Sequence, residues 1–512
     1  MECMDNIITN TRFEIQVIDP FILAIRRFPG RNAFCINDAY YTYKELGKHV
    51  SKIRSAIKKL HQDNIHLGLV ANDDIETYAS IFALWLEGKA YIPLHPKQPL
   101  YRSEEIIKQI SIITVLDSRA ISEFSNLQII NTRNLSDTND VLTNDAKIDD
   151  ERLAYVLFTS GSTGTPKGVT ISRKNVSAFM DSFGDSGIVI TEEDRCLQCF
   201  DLTFDVSIQS FLVPLLKGAC VYTIPHEEIK YSYVYGLLEN YKLTFGAMPP
   251  SMLRYLKRYF EEINVPSMRY CILTAEASPI DLVQQWAKCI PHADLYDFYG
   301  PTEATIYSTF YKISGDKPNK TLNGMVSIGR PMKNVEAIII DENYNILAKG
   351  LKGQLCLSGD QITPGYWASP EKNAEVFFEK EYKGKLQRFY RTGDICFYDE
   401  ENYLMLYGRI DSQAKIQGYR IDLGEIEYHA RQYLNGDNVV VLTFINNIGN
   451  TELALFIEGA AGNTTTLIEY MKTKIPLYMI PTKIIFEHEF TLNSNSKVDK
   501  IKLSERLREY IK

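Results

Sequence analysis

Residues 157–169, LFTSGSTGTPKGV, combine three glycines and one lysine with five hydroxyl side chains between two apolar runs. Gly161, Gly164 and Gly168 permit backbone conformations that bring amide N–H groups together around an anion. Lys167 adds a compact positive charge. Five residues add hydroxyl donors: Thr159, Ser160, Ser162, Thr163 and Thr165. The stretch therefore predicts a phosphate-binding loop.

This loop differs from the common nucleotide-binding P-loop. Its lysine follows Pro166, where a P-loop has glycine. The residues after Lys167, GVTISR, have the pattern of a β-strand, whereas a P-loop opens a helix. We therefore expect the loop to follow one buried strand and to lead into another.

The composition excludes several classes of protein. With 512 residues, 45% hydrophobic and 23% charged, the chain is long enough for two or more globular domains. Its net charge of −8 argues against general electrostatic binding of nucleic acid or of an anionic membrane. Neither a long apolar run nor a signal-peptide pattern is present, so we expect a cytoplasmic protein. Nine scattered cysteines, including the pair Cys196 and Cys199, indicate reduced structural thiols.

Residues 66–94 have the pattern of a strand–helix–strand crossover. HLGLV is followed by the helix cap Asn72-Asp73-Asp74, an amphipathic helix to Leu86, a stop at Gly88 and the strand AYIPL. Such crossovers build parallel sheets. After about residue 410 the strands become shorter and alternate with single helices. We therefore expect an α/β fold with a large N-terminal domain, 1–410, on parallel or mixed sheets, and a small α+β domain, 411–512.

Eight further motifs occur in order along nearly the whole chain. They are YTYKEL at 41, LEGKAYIPLHP at 86, YGPTE at 299, GQLCLSGDQITPGYW at 353, YRTGD at 390, GRIDSQAKIQGYRIDLGEIE at 408, PLYMIP at 476 and NSNSKVDK at 493. Together with SGSTGTPKG they resemble the adenylate-forming superfamily. That superfamily contains the amino-acid-activating domains of nonribosomal peptide synthesis, acyl-CoA synthetases and luciferases. The resemblance implies the same two-domain fold.

The resemblance also implies a reaction. A carboxylate attacks the α-phosphorus of ATP, an acyl adenylate forms and pyrophosphate leaves. Because the reactants repel each other, cations and preorganised donors must surround the α-phosphate. Matched positions imply catalytic roles for Lys167, Thr302 and Lys497, and a Mg²⁺ ligand at Glu303. Ser496 stands where the family has glycine before the lysine.

The nucleotide would be held by residues of the same motifs. Tyr299 is expected to stack on adenine and Asp297 to accept from its amino group. Asp394 suits the two ribose hydroxyls, and Arg409 matches a further nucleotide contact. Asp411 matches the hinge between the domains.

The segment FDLTFDVS at 200–207 indicates the class of acid. By resemblance, Asp201 holds the α-ammonium group of an amino acid, since a buried carboxylate needs a charge partner. The side-chain pocket would be lined by Leu202, Asp205, Ala247, Ile272, Thr274, Phe298, Ile306 and Tyr307. Asp205 either pairs with a cationic or hydroxylated substrate side chain or accepts from a structural donor such as Tyr307. Both possibilities stay open, and the amino acid is not named.

The acceptor is expected to be a separate carrier protein. Only 15 residues follow Lys497, too few for a carrier domain, so the resemblance implies a stand-alone activator that acylates a phosphopantetheine thiol. Rotation about Asp411 would open a thiol tunnel near Lys415 and Gly418. Two alternatives remain: an acyl-CoA synthetase that uses free CoA, which Asp201 argues against, and a catalytically silent scaffold, for which Ser496 is the single supporting departure.

Overall fold

The computed structural model of the chain describes residues 11–138, 142–144, 148–161, 164–315, 317–410, 413–434, 438–459, 462–491 and 498–511. Five predicted site residues, Ser162, Thr163, Asp411, Ser496 and Lys497, lie outside these ranges.

A nine-stranded sheet forms the centre of the large part of the chain. In spatial order its strands are Arg330–Pro331, Thr309–Ile313, Asp294–Tyr299, Tyr270–Thr274, Phe245–Met248, Arg195–Leu197, Cys220–Tyr222, Asn32–Ile36 and Ala39–Thr42. The six strands from Asp294–Tyr299 to Asn32–Ile36 are parallel, and the outer ones are antiparallel. Parallel strands end at the same edge of a sheet, so side chains at their carboxyl ends can converge there.

A seven-stranded sheet carries the glycine-rich loop. In spatial order its strands are Gly365–Tyr366, Lys167–Ser172, Leu153–Thr159, Ala90–Leu94, His66–Val70, Thr114–Asp117 and Gln128–Asn131. Leu153–Thr159 pairs antiparallel with Lys167–Ser172, so the loop is the turn of a hairpin. The strand predicted after Lys167 is thereby confirmed.

Four smaller sheets complete the strand inventory of the described residues. The five-stranded antiparallel sheet contains Glu336–Ile340, Gly353–Ser358, Phe377–Tyr382, Lys385–Tyr398 and Leu404–Arg409. The others are Thr321–Leu322 with Met325–Val326, Gln413–Ile416 with Tyr419–Asp422, and Val439–Ile445 with Thr451–Glu458 and Lys483–Glu487.

The helices cover the sheets. They are Asp19–Arg27, Tyr43–Ile57, Ile75–Leu86, Leu100–Ile110, Arg173–Gly184, Asp205–Leu216, Lys230–Asn240, Pro250–Leu256, Ile280–Cys289, Pro370–Val376, Leu423–Tyr433, Thr464–Lys472 and Lys500–Ile511. Short helical turns span Glu14–Ile18, Lys257–Tyr259, Thr302–Ala304 and Leu477–Met479. No helix among the described residues is long and apolar enough to cross a membrane.

The predicted crossover at 66–94 is confirmed. Strand His66–Val70 leads to Asp74, whose side chain accepts from the Thr77 N–H at 2.9 Å and so caps helix Ile75–Leu86. The helix ends before Gly88, and Ala90–Leu94 then pairs parallel with the first strand. The α/β fold class is likewise confirmed.

The hydrophobic core is divided along the chain. One cluster extends from Phe13 to Leu404, and others gather around Ile416 to Met479 and Val440 to Leu507. The separation falls near residue 410, although independent movement of the two parts stays a prediction. We call residues 413–511 the small unit. Every cysteine that the structure describes is buried and free of disulfide bonds, as expected for reduced thiols.

Gly329 is required by two constraints at once. Its φ is +82°, and a Cβ there would overlap the backbone carbonyl of Phe310. Gly324 has a similar φ of +78°, but no atom lies within 4 Å of a Cβ at that position. We expect Gly324→Ala to cost about 1–2 kcal/mol of unfolding free energy from backbone strain alone. Gly329→Ala should cost about 4 kcal/mol or more. Equal losses in denaturant titrations would contradict the steric argument.

Candidate active site

The glycine-rich loop is compact. Gly164 has a φ of +80°, and a Cβ at Gly161 would overlap the carbonyl oxygen of Thr165. Gly164 N–H donates to the Gly161 carbonyl at 3.0 Å, which closes the turn. The hydroxyl of Thr159, at the end of the incoming strand, is buried with no hydrogen-bond partner among the described atoms. Gly161 and Gly164 therefore serve a tight turn, and the phosphate-binding role of the loop stays a prediction.

Residues of the small unit contact this loop directly. The Ser160 hydroxyl accepts from the Asp422 N–H at 2.7 Å. Gly161 N–H donates to Oε2 of Glu425 at 3.2 Å, and the other oxygen of Glu425 accepts from the buried guanidinium of Arg102. The Ser160 hydroxyl and the Gly161 N–H are thus both engaged by groups of the small unit in this arrangement.

Lys167 lies beside the loop without a direct ion-pair contact among the described residues. Its Nζ is 5.0 Å from the centroid of the Tyr366 ring. Burial lowers the pKa of Lys167, and the nearby cation Arg420 lowers it further. No carboxylate of the described residues is within ion-pair distance of this ammonium group. Lys167 therefore remains available to an anion.

Glu303 is completely buried and ionised. Its carboxylate accepts from the Tyr366 hydroxyl and from Nη1 of Arg420, both at 2.7 Å. Burial alone would raise the pKa of Glu303, but the cations Arg420 and Lys167 outweigh it and lower the pKa to about 2. The small unit therefore supplies the counter-ion of this acid.

Glu303 does not fit a magnesium ion in this arrangement. A carboxylate is the ligand type that Mg²⁺ prefers. However, one oxygen of Glu303 accepts from a tyrosine hydroxyl, and the guanidinium of Arg420 stands against the other, where it would repel a cation. We therefore derive no step through a metal here.

The predicted nucleotide residues meet on two neighbouring sheets. Asp394 lies opposite Arg409 in adjacent strands, and their side chains pair at 2.5 Å. The Tyr299 hydroxyl donates to the other oxygen of Asp394 at 2.5 Å. Lys415 of the small unit places its Nζ 5.6 Å from the Tyr299 ring centroid. The structure thus brings Tyr299, Asp394 and Arg409 together.

Asp297 lies on the same strand as Tyr299 and on the same face, since side chains alternate along a strand. The Ser278 hydroxyl donates to its carboxylate. Burial raises the pKa of Asp297 to about 7, and the Ser278 contact opposes that rise. Asp297 can therefore act as either donor or acceptor near neutral pH.

Asp201 is already neutralised by the protein. Its carboxylate accepts from Lys230 Nζ at 2.8 Å and from the Tyr419 hydroxyl of the small unit, and His95 Nε2 lies 3.8 Å away. Burial would raise the pKa of Asp201, but Lys230 and His95 hold it well below its usual range. The charge partner of Asp201 in this arrangement is therefore Lys230 of the same chain.

The potential metal-ligand atoms of His95, Asp201 and His226 lie within 4.8 Å of one another. Two contacts argue against a metal there. Nδ1 of His95 accepts from the Lys97 N–H at 3.1 Å, which leaves the proton on Nε2, the atom that faces Asp201. Lys230 also occupies the carboxylate oxygen that a metal would need. We therefore interpret the group as a hydrogen-bonded cluster.

Asp205 differs from Asp201 in having an unsatisfied oxygen. It is the first residue of helix Asp205–Leu216 and is buried, and its Oδ2 has no hydrogen-bond partner among the described atoms. Burial raises the pKa of Asp205 to about 6, although bonds from Thr302 and two backbone groups oppose the rise. A buried carboxylate with a free oxygen is costly unless a ligand pairs with it.

The other predicted pocket residues are buried around neighbouring strands. Ala247 lies opposite Ile272, and Thr274 lies opposite Phe298. The Phe298 ring packs 4.9 Å from Tyr307, whose pKa is raised by burial and by the charge of Asp205. Leu202 and Ile306 are buried as well.

Sequence reasoning missed Gln209. It is four residues after Asp205 in the same helix, so the two side chains share a face. The Tyr307 hydroxyl donates to Gln209 Oε1 at 3.4 Å, and Nε2 of Gln209 is buried without a partner among the described atoms. Helical spacing from Asp205 was the available signal. Arg420 and Glu425 were also missed, although they lie in a motif that the sequence matched.

Comparison with known proteins identifies the family. Residues 22–367 match the family described as AMP-binding enzyme. The chain belongs to this family. Membership of the adenylate-forming superfamily, predicted from the sequence, is confirmed.

The AMP-binding enzyme resembles segments of long synthetases. It is 29% identical over 490 residues to tyrocidine synthase 1 of Brevibacillus parabrevis, covering 93% of this chain and 44% of that protein. It is 28% identical over 485 residues to the dimodular nonribosomal peptide synthase of Bacillus subtilis (strain 168), covering 92% and 20%. The chain thus spans less than half the length of these relatives.

Two solved structures show the same fold. Holo-PA1221, an NRPS protein containing adenylation and PCP domains, aligns with a TM-score of 0.84 at 22% identity over 96% of this chain and 84% of that one. The Vibrio cholerae adenylation domain AlmE, in complex with glycyl-adenosine-5'-phosphate, aligns with a TM-score of 0.85 at 22% identity over 99% and 100%.

The Tyr419 hydroxyl joins the small unit of the AMP-binding enzyme to Asp201. A hydrogen bond to a charged group contributes roughly 1.5–3 kcal/mol. Tyr419→Phe keeps the ring that stacks on Tyr478 but loses this bond. We expect roughly tenfold faster hydrogen exchange at Gly418, whose N–H donates to Glu276 of the large part at 2.6 Å.

The matched control for Tyr419→Phe is Tyr433→Phe, which removes a tyrosine hydroxyl bonded to Thr466 inside the small unit. Its exchange at Gly418 should equal that of the unaltered chain. If both variants exchange alike, the Asp201 contact does not hold the hairpin.

Proposed function

We propose that the chain activates an amino acid as an aminoacyl-AMP, releases pyrophosphate and transfers the aminoacyl group to the phosphopantetheine thiol of a carrier protein. Family membership supports the adenylation step. The single observation that favours an amino acid is Asp205, a buried carboxylate with one oxygen unpartnered among the described atoms. An ammonium group would satisfy it.

We assign the α-ammonium contact to Asp205 in preference to Asp201. The charge of Asp201 is balanced by Lys230, so a second cation there would have to displace a bonded ammonium. Asp205 has no ion-pair partner among the described residues, and burial raises its pKa. A cationic ligand would lower that pKa and stabilise the carboxylate. Gln209, with a free amide nitrogen, and Tyr307 would then contact the substrate side chain.

The nucleotide roles proposed from the motifs are supported by proximity. Tyr299, Asp394 and Arg409 are in mutual contact, and Asp297 lies on the same face as Tyr299. Thr302 lies near enough to Asp205 to lower its pKa, which would place the phosphate contact beside the ammonium site. The adenylate would extend from the Asp394 strand toward helix Asp205–Leu216.

The catalytic lysine and the hinge stay proposals from the sequence. Lys497 and Asp411 lie outside the described residues. We propose that residues 1–410 and 411–512 turn relative to each other about Asp411, so that Lys497 serves adenylation. The hairpin Gln413–Asp422, which contacts the site in this arrangement, would serve thiol transfer.

A cavity of about 550 Å³ between the large part and the small unit supports the transfer step. Phe204 and Lys230 line it from the large part, and Gly418, Tyr419 and Leu477 line it from the small unit. We propose that it admits the phosphopantetheine arm, because it borders the hairpin near which the sequence predicts the thiol tunnel.

ATP–pyrophosphate exchange tests the proposed reaction. The purified chain is assayed with all proteinogenic L-amino acids, D-alanine, β-alanine, ornithine, and several aryl and fatty acids. We expect exchange with one amino acid or a small related group. Transfer is then followed with that amino acid on a phosphopantetheinylated carrier and on free CoA. Exchange only with aryl or fatty acids would contradict the amino acid assignment, and transfer only to CoA would contradict the carrier.

Substitution of the two aspartates distinguishes their roles. We expect Asp205→Asn to lower kcat/KM for the amino acid about 100-fold or more, since it removes the charge that pairs with the buried ammonium. Asp201→Asn, which removes a carboxylate already held by Lys230, should change KM for the amino acid less than about threefold. The reverse order would return the ammonium contact to Asp201.

The pH profile gives an independent check. The pKa of Asp205 is about 6, so its carboxylate is ionised above that pH and protonated below it. Exchange, measured as kcat/KM, should therefore fall as pH drops through about 6.

A further inference from the structure

The chain makes a strained turn shortly after Glu303. Thr305 has a φ of +54° and Ile306 a φ of +72°. Both residues are branched at Cβ, and such residues are outliers in the left-handed region because the side chain crowds the backbone. The N–H of Tyr307 donates to the carbonyl of Thr305 at 3.0 Å, so these three residues form a γ-turn with Ile306 at its centre. Contacts from outside the turn must hold this conformation.

Gln361 supplies such contacts. Its side chain is only 2% exposed, and its amide nitrogen donates to the carbonyls of Ala304, Thr305 and Tyr307 at 3.3, 3.3 and 2.7 Å. Only a donor can approach three carbonyl oxygens, so the nitrogen of the amide faces the turn. The amide oxygen is buried with no hydrogen-bond partner among the described atoms. The side chain of Gln361 is thus placed for its nitrogen, at the expense of its oxygen.

Two further hydrogen bonds join the turn to the segment that contains Gln361. The Thr305 hydroxyl donates to the backbone carbonyl of Gln361 at 2.5 Å. The Thr363 N–H donates to the backbone carbonyl of Glu303 at 2.9 Å. The second bond supports the start of the turn without the side chain of Gln361. Loss of that side chain therefore frees the end of the turn, Thr305 to Tyr307, more than its start.

The segment that contains Gln361 links two sheets. It leaves the five-stranded sheet after Ser358 and enters the seven-stranded sheet at Gly365. The side-chain amide of Asn175 donates to the backbone carbonyls immediately before and after Gln361, at 2.7 and 3.0 Å. The turn itself follows strand Asp294–Tyr299 of the nine-stranded sheet. Gln361 therefore joins the turn to a backbone that the other two sheets fix.

The end of the turn carries residues of the proposed amino acid pocket. Ile306 and Tyr307 are both buried and belong to the predicted lining. The backbone of Ile306 also lies beside Asp205. Burial raises the pKa of Asp205, and the Ile306 backbone is among the groups that oppose the rise. A change in the φ of Ile306 would therefore move a pocket side chain and a neighbour of the proposed ammonium contact together.

We propose that Gln361 is a positioning residue for amino acid recognition, because it holds Thr305 and Ile306 in the conformation that places Ile306 and Tyr307 at the pocket. This inference rests on the proposed function. Gln361 acts through the carbonyls of the turn and not by contact with the amino acid. Its loss should therefore weaken binding and selection of the amino acid more than binding of ATP.

Exchange kinetics of Gln361→Met in the full chain test the proposal. Methionine keeps the length and the apolar stem of glutamine but removes the donor to the three carbonyls. We expect KM for the amino acid to rise about tenfold, the effect of one lost buried hydrogen bond. KM for ATP should change less than about twofold. The preference for the best amino acid over the next best, as a ratio of kcat/KM values, should fall about fivefold.

Gln387→Met is the matched control. The Gln387 amide donates to the Tyr382 carbonyl at 3.2 Å and accepts from the Ser358 hydroxyl at 3.3 Å, both within the five-stranded sheet. Its KM values and its preference should equal those of the unaltered chain. Loss of folded protein lowers the apparent kcat with the active fraction but leaves KM and preference unchanged. A fall of kcat alone in Gln361→Met would therefore show a merely structural role and overturn the proposal.

Thr305→Val gives a second test that does not depend on the folding of Gln361→Met. It keeps the branch at Cβ and removes the hydroxyl that donates to the Gln361 carbonyl. KM for the amino acid should rise about threefold, again with little change in KM for ATP. An unchanged KM for the amino acid in Thr305→Val, or equal rises for both substrates, would contradict the assignment.

The unaltered chain separates this inference from the proposed function. Normal exchange in the unaltered chain, with equal KM and preference in both variants, would reject the role of Gln361 and retain the adenylation activity. Absence of exchange with every acid in the unaltered chain would count against the adenylation activity itself, and the role of Gln361 would be rejected with it.

Discussion

The ion pair between Arg420 and Glu303 determines how the small unit meets the rest of the molecule. Both groups are buried, and such a pair offsets its desolvation only when the remaining hydrogen-bond positions are filled. Tyr366 donates to the second oxygen of Glu303, and Gln413 accepts from Nε of Arg420 at 2.7 Å. These contacts hold the hairpin Gln413–Asp422 against the site, together with the hydrogen bonds from Tyr419 to Asp201 and from Gly418 to Glu276.

The small unit places charged side chains against groups of complementary charge in the large part of the chain. It brings a guanidinium to the acid Glu303, and it brings Glu425 to a loop N–H that could otherwise serve a phosphate. It also adds Lys415 near Tyr299, the residue proposed to contact adenine. In this arrangement Arg420 and Glu425 occupy the groups that a metal ion and a triphosphate would otherwise contact. The remaining contacts suit an adenylate. Within the proposed function, this corresponds to the transfer half-reaction.

Local sequence patterns predicted the fold well because each depends on neighbouring residues. The strand–helix–strand unit at 66–94 follows from apolar runs, the Asp74 cap and Gly88, and the loop hairpin follows from three glycines between two strands. The site was harder. Phe200-Asp201 and Phe204-Asp205 are equivalent as local patterns. What separates them is Lys230 and Tyr419, which are distant in sequence and reach Asp201 only through the tertiary fold.

A polar or charged residue of a site is most informative when the chain does not supply its hydrogen-bond or charge partner. Asp201 is charged, but Lys230 of the same chain pairs with it. The ionised carboxylate is therefore stable without a ligand. Asp205 keeps an oxygen without a hydrogen bond among the described atoms, and Lys167 keeps an ammonium group without a direct ion pair to a described carboxylate. Retaining such groups lowers the stability of the folded chain, and a ligand of complementary charge restores it. The positions of these groups therefore indicate where the ligand carries charge: a cation beside helix Asp205–Leu216 and an anion beside the glycine-rich loop.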